Sequence, residues 1–94
     1  MKVDILFKKD EEGESKMVFE IAEMVQEISL DINAKVDINV TNNFRDFSHL
    51  ATNFPKTPVV VINNHLEFAG MIPDREKIKE KMLGHLGGDG SLLE

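Results

Sequence analysis

Four acidic side chains crowd one short stretch: Asp10, Glu11, Glu12 and Glu14, within KKDEEGES. Carboxylate oxygens are the hard donors that Ca²⁺ and Mg²⁺ prefer, so one reading is a metal-binding or non-redox catalytic loop. Ca²⁺, however, takes about six to eight oxygens in a fixed order, and no D-x-D-x-D-G run is present. The plainer reading is a solvated acidic loop that favours the start of a helix. The three histidines, His49, His65 and His85, lie far apart and lack the H-x₃₋₅-H spacing of a metal site. His49 falls off the apolar stripe of its segment, His65 follows a turn, and His85 nears the end of the last helix, where a cation is favourable. No Ser-His-Asp arrangement, nucleophile elbow or phosphate-cradling Gly loop is visible. The chain has no cysteine at all. That excludes disulfides, thiolate nucleophiles and Cys-ligated zinc or iron–sulfur clusters from its own residues. No catalytic residue, metal ligand or cofactor is assigned from these patterns.

Length and charge narrow the setting. The 94 residues fit one domain, and the formal net charge is −6. Nucleic acid demands a basic footprint and an anionic membrane surface attracts one, so neither partner is expected. No apolar run approaches the roughly 20 residues that cross a bilayer. The opening MKVDILFKKDEE has acid soon after a short apolar run and no small-residue cleavage site, which does not match a signal peptide. A cytoplasmic location is the default expectation, and a monomer the expected state.

Several elements must position these side chains. Lys2 to Phe7 is almost wholly apolar apart from Asp4, which suits a strand covered on both faces. Ser15 is a candidate N-cap for a helix over 16–30, whose buried face carries Met17, Ile21, Met24, Val25 and Ile28. Ala34 to Val40 alternates strictly and reads as an edge strand with Ala34, Val36, Ile38 and Val40 on one side. Phe44, Phe47, Leu50, Ala51 and Phe54 recur at helical steps, predicting a second helix that Pro55 stops. Residues 59–62, VVVI, form a continuous β-branched run expected at the sheet centre. Asn63-Asn64 is a two-residue turn tolerant of positive φ, and His65 to Ala69 returns as a fourth strand. Pro73-Asp74 opens a last helix with Ile78, Met82, Leu83 and Leu86 buried. The Gly-rich end after Leu86 reads as a disordered tail over 87–94, its last residues in part a vector-encoded remnant, leaving 1–86 as the domain.

The order is therefore βαβαββα, an α/β fold. A right-handed crossover makes the first two strands parallel neighbours, and the last two form a hairpin. With the apolar strands central, the spatial order is two, one, three, four. The first and third helices then cover one face and the second covers the other.

This order, with Thr57-Pro58 before the third strand and Gly70-x-x-Pro73 leading into the last helix, resembles the thioredoxin fold. It is most similar to small, glutaredoxin-sized proteins of the redox-active disulfide type. The resemblance covers residues 2 to 86 and is most specific over TPVVVINNHLEFAGMIPDREKIKEKM. It implies a Cys-x-x-Cys pair at the first helix, at positions that here hold Glu11 and Glu14, so the oxidoreductase activity does not carry over. It also implies that Pro58 is cis and that its neighbour Thr57 pairs with an extended peptide, a form of strand addition. The competing reading is that Pro58 only shapes the entry to the central strand. Phe54 and Met71 flank this loop, with Met17 as a further apolar neighbour. They would form a patch suited to a protein partner if exposed, although Phe54 reads more simply as core. Three functions compete: a redox-inactive domain that binds a protein or peptide at the Thr57-Pro58 groove, a metal-binding or catalytic acidic loop at Asp10–Glu14, and a structural or oligomerising module using its exposed second strand.

Overall fold

The computed structural model describes residues 1–8, 13–50 and 56–90. Four strands form one mixed sheet: β1 (Lys2–Leu6), β2 (Asp37–Thr41), β3 (Val59–Ile62) and β4 (His65–Ala69). Their order is β2-β1-β3-β4, with β1 parallel to β2 and antiparallel to β3, and β3 antiparallel to β4. This is the thioredoxin-like order expected from the hydrophobic patterns. Val59 to Ile62 are all buried, as their unbroken β-branched run requires of a central strand. Asn63 and Asn64 both take positive φ, 47° and 70°, and turn β3 into β4.

The sheet separates two apolar layers. On one face, Val3, Ile5, Val60 and Ile62 pack against Val18, Ile21, Val25 and Ile28 of α1 (Glu14–Asp31) and against Ile78 and Met82 of α2 (Arg75–Gly90). On the other face, Leu6, Val59 and Val61 meet Phe47, with Phe44 and Leu50 alongside. The first and last helices thus share one side, and the segment after β2 covers the other.

That segment differs from expectation. Phe44–Phe47 is a short 3₁₀ helix rather than the start of an α-helix over 44–54. Phe44, Phe47 and Leu50 stand at steps of three, which is the 3₁₀ period, so the same residues suit either helix. Residues 51–55, including Phe54, lie outside the described residues.

The first helix also begins differently. Its N-cap is Gly13, with φ 82°, and the helix starts at Glu14, so Ser15 is an exposed helical residue and not the cap. Glu14 is drawn inward by two hydrogen-bond donors, and that tertiary pull fixes where the helix begins. The helix ends at Asp31, and Asn33, two residues on, takes φ 54°, a left-handed stop that Asn tolerates.

Two packing expectations shift as well. Val40 shares the face of its β1 partner Ile5 but is exposed at the sheet edge, whereas Ile38 joins the core. Leu83 is exposed, so the inward face of α2 runs through Ile78, Met82 and the half-buried His85. The helix continues to Gly90, four residues past the boundary drawn at Leu86.

Candidate functional site

The candidate site forms where three segments meet: the exit of β1, the start of α1, and the loop entering β3. Parallel pairing of β1 with β2 forces the chain over the sheet through α1, and so sets the N-terminus of α1 above the exit of β1. Glu14 joins all three segments. Its Oε1 accepts the backbone N–H of Lys8 at 2.9 Å, and its Oε2 accepts the hydroxyl of Thr57. The side chain is only 6% exposed. Burying a carboxylate is costly unless donors satisfy it, and here each oxygen has one.

Thr57 is half-buried, and the Thr57-Pro58 bond is cis, as the resemblance implied. Pro58 is buried, and its carbonyl accepts the N–H of Gly70 at 2.9 Å. Gly70 has φ 83°, and a Cβ there would stand 2.8 Å from Cβ of Lys56. That close approach locks the end of β4 against the residues just before Thr57. It also delivers Met71, 58% exposed, to the loop that borders the site. Beside Met71 lies a hollow of about 250 Å³ floored by Phe68, Ile72 and Pro73 and rimmed by Asp74 and Lys77. Among the described residues, no main-chain hydrogen bond engages the N–H or C=O of Thr57.

The residues singled out from the sequence therefore divide. Glu14, Thr57 and Pro58 come together, with Met71 on the neighbouring loop. Phe54, Asp10, Glu11 and Glu12 lie outside the described residues. Glu14 faces inward, with the Lys8 N–H on one oxygen and the Thr57 hydroxyl on the other. Among the described residues, no three His, Asp or Glu side chains converge as a ligand set. Among them, too, no helix is long and apolar enough to cross a membrane.

The histidines are less scattered than their spacing suggested. His49 Nε2–H donates to Oδ1 of Asn64 at 3.2 Å. His85, expected merely to sit near a helix end, is paired with Glu67: Nε2 lies 2.7 Å from Oε2. Sequence reasoning missed Glu67. A β-bulge between Val60 and Val61 places Leu66 opposite Val61 and Phe68 opposite Val60, so Glu67 has no opposite residue. The extra residue re-aims the strand and turns Glu67 towards α2. A faint signal was available in Lys81 and His85, one helical turn apart on α2, both of which reach Glu67.

Comparison with curated proteins and with solved structures found no match. The family described as "Thioredoxin domain" matches residues 12–83, which takes in α1, the Glu14–Thr57 contact, both hairpin strands and α2 as far as Leu83. With that match over most of the chain, on a sheet of order β2-β1-β3-β4, this protein belongs to the thioredoxin-domain family.

Proposed function

We propose that this domain binds an extended protein or peptide segment at the Thr57-Pro58 loop and performs no thiol–disulfide exchange. The observation that carries the reading is the Glu14–Thr57 contact. At the corner where the resemblance implies a thiol, a buried carboxylate instead ties α1 to the Thr57 loop. The corner's chemistry is replaced while its walls remain. The Thr57 main chain offers one N–H and one C=O without a main-chain partner among the described residues, which is what strand addition uses. Met71 adds an exposed, adaptable apolar contact at the rim, and Phe54 belongs to the same proposal from the sequence alone. We take the domain to act as a monomer in the cytoplasm.

Titration of ¹⁵N-labelled protein with a mixed peptide library tests this. Amide shifts clustered at Glu14, Thr57, Gly70 and Met71 are expected, and Met71→Asp should weaken binding about tenfold, or roughly 1.4 kcal/mol. A titration that leaves those amides unmoved sinks the reading.

A further inference from the structure

A second corner lies at the other end of β3, beyond the Asn63-Asn64 turn. His65 opens β4 there, and His85 projects from α2. Their ring centroids are 5.2 Å apart with the planes at 40°. His85 spends Nε2 on the Glu67 carboxylate at 2.7 Å, which leaves Nδ1 for a ligand. The His65 ring makes no hydrogen bond to any described residue, while its main chain pairs with Ile62. Both rings line an open cleft of about 610 Å³ whose walls include Lys2, Asp37 and Asn63.

We propose that His65 and His85 form a two-imidazole chelate for a divalent transition-metal ion of borderline softness, such as Zn²⁺. Imidazole nitrogens suit Zn²⁺, Cu²⁺ and Ni²⁺ better than Mg²⁺ or Ca²⁺. A Zn–N bond of about 2.0–2.1 Å sets each ring centroid about 3.2 Å from the ion, so two rings at the tetrahedral angle have centroids about 5.2 Å apart. The observed centroid separation of 5.2 Å matches that spacing. Glu67 supplies the outer carboxylate that commonly orients a ligating histidine and raises its basicity. The nearest lysines do not leave the cleft purely cationic. Lys81 Nζ lies 3.5 Å from Oε1 of Glu67, Lys2 Nζ lies 3.9 Å from the Asp4 carboxylate, and Asp37 stands on the cleft wall. Two protein donors leave the remaining coordination positions to water or to a donor from another molecule. This corner and the Thr57 loop are separate, so the inference does not depend on peptide binding.

The test is a Zn²⁺ titration of the untagged chain, followed by calorimetry and by NMR of the imidazole protons. Saturable one-to-one binding is expected, with the ring signals of His65 and His85 shifting together. His65→Ala and His85→Ala should each weaken it at least about tenfold, and Glu67→Gln about tenfold, as loss of an outer partner does. His49→Ala should leave it unchanged. His65 is exposed, so His65→Ala keeps the fold even where His85→Ala does not. Absence of saturable binding, or binding indifferent to His65→Ala, overturns the proposal.

Discussion

Among the described residues, Glu14 and Asp4 are the two buried carboxylates, and their surroundings assign them opposite energetic roles. Glu14 has a donor for each oxygen. Glu14→Ala would strand the Lys8 N–H and the Thr57 hydroxyl, and should cost about 1–3 kcal/mol in chemical denaturation. Glu14→Gln keeps an acceptor for Lys8 and can donate to the Thr57 oxygen, so its loss should stay within about 1 kcal/mol. Asp4 is 1% exposed on the central strand β1. Its Oδ1 accepts from Asn39 Nδ2 at 3.1 Å, but among the described residues Oδ2 has no hydrogen bond, and Lys2 reaches only to 3.9 Å. Replacing such a group with an apolar residue of similar size is often stabilising. Asp4→Val should therefore raise stability by about 1 kcal/mol, helped by the strand preference of valine. A clear loss in the same denaturation experiment would show that Asp4 has a favourable partner after all.

Among the elements, the two helices are pinned where α1 ends and α2 begins. Arg75 donates to Asp31 Oδ2 at 2.7 Å and lies 4.0 Å from Glu27. The hydrogen bond from Arg75, and then its charge, hold the Asp31 carboxyl below its ordinary range. Partial burial works against them, and Lys79 adds a smaller pull in the same direction as Arg75. A carboxyl held low in the folded state stabilises above its unfolded pKa, and that contribution is lost as pH falls through the folded value. The melting temperatures of Arg75→Ala and the wild type should therefore differ most near neutrality and converge in acid below the usual aspartate range. In the variant, the Asp31 midpoint read by carboxyl NMR should move up towards that range. At the other loop, Gly70→Ala meets both a positive φ and the Lys56 Cβ, and should cost about 1–3 kcal/mol in the same melts. These elements also show what the sequence could convey. Val59 to Ile62, the paired asparagines and the two amphipathic helices carry their structure in local pattern, because burial and turn geometry act over a few residues. The start of α1 does not, since Gly13 caps it only because Lys8 and Thr57 draw Glu14 inward. The bulge at Glu67 is equally silent, because no local residue choice marks the slip between β3 and β4.

Across the whole molecule, the two proposed corners occupy opposite ends of β3, a strand of four residues. At about 3.3 Å per residue, they stand beyond the range over which separate sites usually couple. His65→Ala should therefore leave peptide-induced shifts at Thr57 and Met71 unchanged, and Met71→Asp should leave the Zn²⁺ affinity unchanged. Coupling between the two titrations would place both corners in one cooperative unit. The same placement explains why the candidate sites were only partly legible from the sequence. Thr57-Pro58 is a contiguous pair with its own signature, whereas His65, Glu67 and His85 meet only after a bulge and a helix bring them together.

One consequence of the Glu14 contact reaches beyond stability. A carboxyl group has no counterpart to the dithiol and disulfide forms, so Glu14 itself cannot register the electron balance of its surroundings. Glutathione poise leaves the Glu14–Thr57 contact as it is, and peroxide would reach this loop through the exposed Met71 thioether rather than through a thiol. A partner docking at this loop, as proposed, would meet a corner that has no thiol to switch.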